Sequence, residues 1–394
     1  IHFMISVLSL AITTMAEETN LDQLLNDGSK QFTAKMFYEV AQSNKKKSVV
    51  LSAFSVMPPL AQLALASVDE SHDEILNAIG MPNDNITKAA FSRITSKLRS
   101  VKGITLKTAN KIYIGKSYHL DEKFSAVARD SFDSEIESID FGKNEEAAAR
   151  VNAWVEDQTN HRIRDFVDKN KLTGDTRALL VNAIYFKGTW STAFDKTETK
   201  DKDFHISKEK HVSVPTMYNQ GYYKYAENQE LNAQILEISY EGDESSFVIV
   251  LPREIDGINE LEEKLKDPSA LDKALNDMRK TEVEVYLPKF KIETTTDLKQ
   301  ILEKINVSKL FRPGMAKLEK LIKNRGDLYI ESATQKAFIE INEEGAEAAA
   351  ANENDTNLGS KTKEMDYTFV ADRPFYFAVK SNSLTLFNGI LRSV

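Results

Sequence analysis

The spacing of apolar residues along this chain predicts helices first and strands later. Apolar residues recur at helical intervals over residues 20–40, which predicts a helix there. Pro58 and Pro59 precede an apolar run to residue 66, which predicts a helix with both prolines in its first turn and a serine before them as its cap. Residues 179–190 are too continuously apolar for any element except a buried strand. Helices that precede strands, rather than alternate with them, predict an α+β fold.

The segment around Ile339 combines a strand pattern with an abrupt end. Ile339 and Ile341 fall on one side of an extended backbone, while Asn342 falls on the other. Phe338 breaks this alternation. Gly345 follows, and glycine supplies backbone freedom that no other residue has. We therefore predict a strand that ends shortly before Gly345.

Two interpretations fit the residues after this glycine. Alanine is the best helix former, so residues 346–352 fit a surface helix. If the segment is read as an extended strand, all of its acidic residues fall on one side and the other side carries no charge. This pattern predicts a segment that is a loop in one state and a strand with one buried face in another. The uncharged set is Ala346, Ala348, Ala350, Asn352, Asn354, Thr356 and Leu358, and the set with all three acids is Glu347, Ala349, Ala351, Glu353, Asp355, Asn357 and Gly359.

Composition restricts the classes of protein to consider. The chain has 394 residues, 41% of them hydrophobic and 28% charged, so it has the length and apolar content to bury a large core. No Pro-, Gly- or Ser-rich linker divides it, which predicts a single domain over residues 17–394. The net charge of −9 argues against a nucleic-acid-binding protein. The absence of cysteine from this chain excludes disulfides, thiolate metal sites and cysteine nucleophiles.

The first residues carry features of a secretory signal peptide. Residues 3–12 form an apolar run of the length of a signal-peptide core, and Thr14-Met15-Ala16 fits a small-residue cleavage site. The run is too short for a membrane span. We expect residues 1–16 to be removed and the protein to be secreted, with no membrane segment. Translation from Met15 would instead give a cytosolic form.

The sequence contains no pattern for enzymatic chemistry. Its six histidines lie outside nucleophile-elbow, His-Glu-x-x-His and glycine-rich phosphate-loop patterns. A hydrolase, which is the alternative from a different class, therefore has no supporting constellation of residues. We expect neither a cofactor nor a metal site. The histidines are His2, His72, His119, His161, His205 and His211.

The stretch over residues 343–351 resembles the reactive-loop hinge of the serpins, the serine protease inhibitor superfamily. The resemblance covers nearly the whole chain after the leader and is closest to secreted insect serpins. It implies the serpin fold, with helices around a large central sheet, further smaller sheets and an exposed reactive-centre loop over about residues 343–366. It also implies an irreversible inhibitor that is cleaved in this loop, traps the protease as an acyl-enzyme and inserts the loop into the sheet, for which serpins are themselves the standard example. The implied hinge residues are Glu343, Glu344, Gly345, Ala346, Glu347, Ala348, Ala349, Ala350 and Ala351.

The same resemblance assigns residues to the region where the loop would enter the sheet. Ser52, Ser55 and Asn182 match a polar network under the sheet, called the shutter. Gln335 occupies the position of a histidine found in many serpins. Glutamine donates and accepts hydrogen bonds but does not titrate near neutrality, so a pH-sensing role at this position loses its basis. Trp190 matches the tryptophan near the top of the sheet, where the loop first enters.

Three further features follow from the resemblance. Lys289 matches a lysine that pairs with the glutamate at the loop's base, here Glu343. If exposed, that pair contributes about 1 kcal/mol or less, so it would orient the loop rather than hold it. A helix predicted over residues 151–167 resembles the one that lies across the sheet and must yield to the loop. The helix over residues 88–100 is basic where some serpins bind a sulfated polysaccharide, but we expect a solvated charged face here.

The cleaved bond has several candidates. Counting forward from Gly345, as in relatives, gives the Gly359-Ser360 bond, whereas counting back from Pro374 gives Lys361 or Lys363. Lysine suits a trypsin-like target because it reaches an acidic specificity pocket, and leucine suits a chymotrypsin-like one. We favour Lys361. The candidate residues are Leu358, Gly359, Ser360, Lys361, Thr362 and Lys363.

The sequence also contains three candidate sites for N-glycosylation. Asn85, Asn306 and Asn354 lie in Asn-x-Ser/Thr sequons. Asn354 belongs to the uncharged side of the predicted inserted strand, so we expect it to be unmodified in the active protein. Asn85 and Asn306 are the candidates for glycosylation if the protein is secreted. The implied partner is a target serine protease in a covalent complex, without nucleic acid or membrane, and we expect a monomer. Two serpin alternatives stay open: a non-inhibitory carrier, storage or chaperone protein, and an inhibitor of cysteine proteases.

Overall fold

The computed structural model describes residues 2–324, 326–345 and 367–394, with side chains from residue 20 onward. The predictions for residues 346–366, which include the cleaved bond, the alanine-rich stretch and the third sequon, lie outside the described residues.

Nine α-helices lie in the described part of the chain, and six of them precede residue 160. The helix predicted over residues 20–40 is part of the first. None of the described helices combines the length and apolarity needed to cross a membrane. The helices are α1 (His2–Ser43), α2 (Ala53–Ala66), α3 (Asp69–Ile79), α4 (Asp84–Arg99), α5 (Glu122–Phe132), α6 (Asn144–Gln158), α7 (Ile258–Lys264), α8 (Pro268–Asn276) and α9 (Leu298–Lys304).

The strands of the described residues form a five-stranded and a nine-stranded sheet, and most of them follow residue 177. The predicted α+β arrangement is therefore confirmed. The strands are β1 (Val49–Leu51), β2 (Ile104–Gly115), β3 (Glu135–Ile139), β4 (Ala178–Gly188), β5 (Lys200–Ser207), β6 (Lys210–Asn228), β7 (Ala233–Ser239), β8 (Ser245–Pro252), β9 (Arg279–Pro288), β10 (Phe290–Asp297), β11 (Ser332–Ile341), β12 (Tyr367–Val370), β13 (Phe375–Ser381) and β14 (Leu384–Leu391).

The five-stranded sheet has the order β10-β11-β4-β2-β3, and its central strand β4 is buried on both faces. At its centre β11 and β4 run parallel, and each is antiparallel to its other neighbour. Ile184 and Ala337 face the main core, which includes α2, while Tyr185 and Phe338 face a second core formed with α6. Burial of both faces explains why Phe338 breaks the alternation, since a doubly covered strand needs no polar side.

The nine-stranded sheet has the order β1-β14-β13-β8-β7-β6-β9-β12, with β5 paired to β6. Its middle strands are buried, and Phe247 of β8 stacks on Phe377 of β13 with ring centroids 5.6 Å apart. β12 lies at the edge beside β9 and begins at Tyr367, so the chain after residue 366 joins the structure at this edge.

Two predicted helices differ from the structure at their ends. α2 begins at Ala53, so Pro58 and Pro59 lie in its interior rather than in its first turn. α6 ends at Gln158 instead of continuing to residue 167, because Asn160 and the next residue adopt left-handed φ angles of 51° and 59°. Ile163 and Phe166, which follow the end of the helix, are nevertheless buried. The apolar spacing that predicted a longer helix therefore reflects an irregular segment packed against the sheet.

Candidate functional site

β4 and β11 meet along a seam that is closed in one half and open in the other. In the lower seam, residues 179–185 of β4 pair with residues 332–338 of β11. In the upper seam, residues 186–188 pair with β2 and residues 339–341 pair with β10, but the described structure has no ladder between these two sets. An added strand would therefore find a strand edge on each side at the upper seam.

The residues that follow β11 are held beside the upper seam by the segment that follows β4. The backbone N–H of Trp190 donates to the carbonyl oxygen of Glu344 at 3.1 Å. Its indole Nε1 donates to the carbonyl oxygen of Asn342 at 2.9 Å. The ring of Trp190 is 3% exposed and stacks on Tyr240 with centroids 4.6 Å apart. The tryptophan expected where the loop enters the sheet is thus bonded to the base of the loop.

Gly345 is the last residue of the predicted hinge that the structure describes, and its position requires glycine. Its φ is +94°, a conformation that side chains rarely adopt. A Cβ atom there would lie 2.5 Å from the carbonyl oxygen of Gly188 and 2.6 Å from the backbone nitrogen of Trp190. The hinge therefore turns in direct contact with the end of β4.

The carboxylate of Glu343 is buried, with its side chain 6% exposed. Lys289 Nζ lies 2.9 Å from it, and the hydroxyl of Thr199 donates to it at 2.9 Å. Burial acts to raise the pKa of Glu343, but these two hydrogen bonds and the nearby ammonium outweigh it and leave the pKa below its usual value. Burial also changes the interpretation of the Lys289–Glu343 pair. Removal of Lys289 would leave the buried carboxylate without its counter-charge, so the pair stabilises the hinge as well as orienting it.

A second ion pair at the hinge was not predicted from the sequence. Lys196, in a short 3₁₀ turn, contacts the carboxylate of Glu344, and their side chains are 66% and 28% exposed. The backbone N–H of Phe194 also donates to the carbonyl oxygen of Glu343 at 2.8 Å. Residues 190–199 therefore bind the hinge through backbone and side-chain contacts together. Nothing in the spacing of these residues indicates contacts with a segment so distant in the chain.

A buried polar network lies beneath the lower seam and joins α2 to both strands. Asn182 and Gln335 are register partners across the seam, and Gln335 Nε2 donates to Asn182 Oδ1 at 2.6 Å. The hydroxyl of Ser55 donates to the same oxygen at 3.0 Å. Gln335 also exchanges two hydrogen bonds with the backbone of Ser52, at 2.9 and 3.1 Å. All four residues are at most 1% exposed, so the structure brings together the residues that the resemblance assigned to the shutter.

The internal prolines of α2 make part of this network possible. Proline has no N–H, so Pro59 cannot donate to the carbonyl oxygen of Ser55, its helical partner four residues earlier. That carbonyl accepts from Asn182 Nδ2 instead, at 2.9 Å. The helix thus gives up an internal hydrogen bond where the sheet supplies a donor.

Asn110 is a member of the network that the sequence interpretation missed. It is the register partner of Asn182 on β2, it is 4% exposed, and its Oδ1 accepts from Asn182 Nδ2 at 2.5 Å. An amide inside a buried strand was the available signal, since such a group needs a partner. We use the name polar network below for Ser52, Ser55, Asn110, Asn182 and Gln335.

α6 and the segment after it cover the opposite face of the seam. Val151 and Val155 of α6 are buried in one cluster with Phe338 and other residues of β4 and β11. The ammonium of Lys336 on β11 donates to the carbonyl oxygens of Arg164 and the next residue, both at 2.9 Å. The segment that leads from α6 to β4 is therefore bonded to β11 across the seam.

The basic stretch of α4 is engaged in internal ion pairs. Arg93 and Lys97 lie 2.9 and 3.5 Å from the carboxylate of Asp22, and Arg99 lies 2.5 Å from that of Asp133. These three basic side chains of α4 therefore lie in ion pairs at the protein surface. Asn85 and Asn306, the two glycan candidates among the described residues, are both exposed.

Comparison with known proteins agrees with this geometry. The model of the family Serpin (serine protease inhibitor) matches residues 27–393. The chain is 53% identical to alaserpin of Manduca sexta over 383 residues, 97% of each chain, and 51% identical to antitrypsin of Bombyx mori over 387 residues, 98% of each. The solved structure of Serpin48 of the insect Tenebrio molitor superposes with a TM-score of 0.86 at 34% identity, over 95% of this chain and 99% of that one. The predicted fold is confirmed, and the chain belongs to the serpin family.

Proposed function

We propose that this protein is an irreversible suicide-substrate inhibitor of serine endopeptidases, and that its reactive loop comprises about residues 343–366. The observation that carries the proposal is the open upper seam, because the chain leaves β11 at the top of this seam and continues directly into the alanine-rich stretch. Its similarity to insect proteins named for antiprotease activity supports the same class of target.

The chemistry belongs to the target protease. Its catalytic serine attacks one of the peptide bonds within residues 358–363. The serine forms an ester with the carbonyl carbon of the residue before that bond, and the amino group of the residue after it is freed. The cut releases residues 346–358 from their C-terminal tether. They then enter the seam as a new strand and carry the attached protease with them before water hydrolyses the ester.

Insertion has a sufficient driving force. About a dozen residues that gain ladder hydrogen bonds at roughly 1 kcal/mol net each supply on the order of 10 kcal/mol. Local unfolding around a protease active site costs less than this in many regions. The uncharged positions Ala346, Ala348 and Ala350 are small, so one face of the strand enters a packed sheet at low steric cost.

A gel assay tests the proposal. The protein is incubated with a trypsin-like, a chymotrypsin-like and a cysteine protease, and we expect a covalent, detergent-resistant adduct with at least one of the two serine proteases. Ala346→Arg places a charge on the inserting face, so this variant should be cleaved without an adduct. Ala349→Arg places the same charge on the other face and is the matched control that should still form the adduct. Trapping by Ala346→Arg at the wild-type yield would contradict insertion.

The position of the cut is read from the same reaction. Mass spectrometry of the released C-terminal fragment identifies the bond, and a fragment that begins at Thr362 would support Lys361 and a trypsin-like target. A start at Gly359 would indicate Leu358 and a chymotrypsin-like one.

Two alternatives give different outcomes. A non-inhibitory carrier, storage or chaperone serpin would be cleaved by every protease without an adduct, and its nicked form would melt no higher than the intact form. An inhibitor of cysteine proteases would form its adduct only with the cysteine protease.

Secretion is tested separately by expressing the full chain in insect cells and sequencing the N-terminus of the secreted protein. We propose that this N-terminus is Glu17.

A further inference from the structure

Two histidines lie opposite each other on the hairpin formed by β5 and β6. His205 of β5 is the register partner of His211 of β6, and their ring centroids lie 5.8 Å apart. Opposed residues of antiparallel strands have Cβ atoms about 4.5–5.5 Å apart, so both imidazoles can reach one small ligand. Ile206 has no register partner and marks a β-bulge next to His205. Bulges redirect the side chains beside them, so the hairpin itself sets the position of this pair.

Both imidazoles are accessible and unengaged. The side chain of His211 is 58% exposed, and His205 is partly exposed. Among the described residues neither ring forms a hydrogen bond, and a carboxylate oxygen of Asp203 lies 3.9 Å from His211 Nε2. His72 shows the opposite case, because carboxylates occupy both of its ring nitrogens at 2.9 and 2.7 Å. The ring nitrogens of the hairpin pair are therefore available to a ligand.

The charges on this face of the hairpin favour a cation. Asp201 and Asp203 fall on the same side of β5 as His205, since side chains alternate along a strand. Both lysines of β5, Lys200 and Lys202, fall on the other side. The ammonium of Lys202 lies over an aromatic ring there, 4.1 Å from the ring centre. The histidine pair thus has carboxylates beside it and the strand's ammonium groups turned away from it.

The spacing of the two rings suits one metal ion. Imidazole is a common ligand of zinc, nickel and copper ions. Zinc–nitrogen bonds in a tetrahedral arrangement place two ring centroids roughly 5 Å apart. The observed 5.8 Å is slightly longer, and rotation of the exposed His211 side chain can close the difference. Asp203 beside Nε2 leaves Nδ1 of His211 for the metal, and metal-bound histidines usually have such a carboxylate on their second nitrogen.

We propose that His205 and His211 chelate one divalent transition-metal ion, for which Zn²⁺ is the probe, with Asp203 as the carboxylate that orients His211. No group of three or more histidine, cysteine or carboxylate side chains in the described part of the chain is arranged to hold a metal. The site therefore has two protein ligands, and water completes the coordination. The sequence gave no expectation of a metal site, because this pair forms only when the hairpin closes.

The site lies where the chain returns from the proposed reactive loop. The backbone N–H of His205 donates to the carbonyl oxygen of Asp372 at 2.7 Å, just after the end of β12. An ion held by both strands of the hairpin binds the folded arrangement and not the unfolded chain, so it stabilises the fold by mass action. Metal binding does not require protease inhibition, and the inference stands apart from the proposed function.

Isothermal titration of the untagged full chain with Zn²⁺ tests the site, at about pH 7.5 because imidazole binds metals in its neutral form. We expect one ion per chain. His205→Asn and His211→Asn each leave a single ligand, so each should weaken binding by about 100-fold or more. Asp203→Asn should weaken it by about tenfold. Mg²⁺ prefers oxygen ligands and should not bind.

Further readouts separate chelation from other effects. His119→Asn removes an exposed histidine elsewhere and should leave zinc binding unchanged. Circular dichroism without metal should be the same for all variants, and Zn²⁺ should raise the melting temperature of the wild-type protein but not of His205→Asn or His211→Asn. Three outcomes would each overturn the inference: no binding up to about 1 mM Zn²⁺, binding that survives either histidine substitution, or sedimentation that shows one ion shared between two chains. The gel assay of protease trapping is unaffected by all three, so failure here leaves the proposed function intact.

Discussion

The two halves of the β4–β11 seam differ in the interactions found at each of them. The lower seam has a continuous parallel ladder and the buried polar network beneath it. Among the described residues the upper seam has no ladder between its strands, and the hinge beside it is held by backbone hydrogen bonds and two ion pairs. One of those pairs is largely exposed to solvent.

This difference indicates a direction for strand entry. In the proposed mechanism, a new strand would meet two separated edges at the top and would have to break ladder bonds only as it moved down. The polar network contains amides and hydroxyls, which do not titrate near neutrality, whereas the hinge is held by carboxylates. Acid and salt should therefore loosen the upper seam and leave the lower seam unchanged.

The largest effect is expected from Asn182→Leu, which keeps the side-chain size but removes the centre of the polar network. The carbonyl oxygen of Ser55, the amide of Gln335 and Asn110 Oδ1 would each lose a partner in a buried site. Each such loss costs about 1–3 kcal/mol, so we expect the intact protein to lose about 3 kcal/mol or more of stability. Urea denaturation followed by circular dichroism measures this. Asn77→Leu makes the same change on the exposed face of α3 and should leave the midpoint nearly unaltered.

A smaller but local effect is expected from Gly345→Ala. The new Cβ would meet the carbonyl oxygen of Gly188 at 2.5 Å in a left-handed backbone conformation, so the hinge must shift at a cost of about 1–3 kcal/mol. The melting temperature of the intact protein should fall. In the cleaved form that the proposed function requires, the same residue would lie in an extended strand that accepts alanine, so we expect the nicked protein to melt at the wild-type temperature. An equal fall in both forms would show that the hinge conformation is not the cause.

Glu343→Gln tests whether acid acts on the upper seam. Because the folded-state pKa of Glu343 is lowered, its carboxylate contributes stability above the usual glutamate pKa of 4.5, and this contribution is lost as the pH falls through the lowered value. We expect wild type to be more stable than the variant by about 1 kcal/mol at pH 7, with the difference vanishing in acid below pH 4.5. Melting temperatures from pH 3 to pH 8 measure it. Glu319→Gln, at an exposed position, is the control, and a difference that persisted unchanged at pH 3 would exclude the carboxylate as its source.

The sequence alone predicted the two buried strands that border the seam, because each is indicated by a pattern within one continuous stretch of chain. The apolar run around Asn182 and the alternation at Ile339 indicate buried strands because burial imposes a pattern on neighbouring residues. The grouping of Ser52, Ser55, Asn182 and Gln335 came from the family resemblance, and the structure places all four in one network.

What the sequence did not predict depends on contacts between distant segments. Lys196 and Thr199 lie in a turn without periodicity, and their partners at the hinge are more than 140 residues away. The depth of Glu343 was likewise invisible, because the burial of one carboxylate depends on the segments folded around it. The end of α6 was not predicted because no proline or glycine marks it. The helix ends where Asn160 adopts a left-handed backbone conformation, for which the sequence gives no clear signal.

The smallest effect is expected from Lys196→Ala, which removes the exposed ion pair of the hinge. Exposed pairs are weak and screened, so we expect the rate of loop insertion to rise by no more than about threefold at low salt. The gain should disappear near 1 M salt, where the screening length is about 3 Å. Fluorescence of a label placed on the loop measures the rate, and Lys200→Ala, a lysine of equal exposure that pairs with Glu198 instead of the hinge, is the control. A gain that survives high salt, or that Glu344→Ala does not reproduce, would show that Lys196 acts by other means than its charge. The hinge would then be held by contacts other than this ion pair, which include its backbone hydrogen bonds and the Glu343–Lys289 pair.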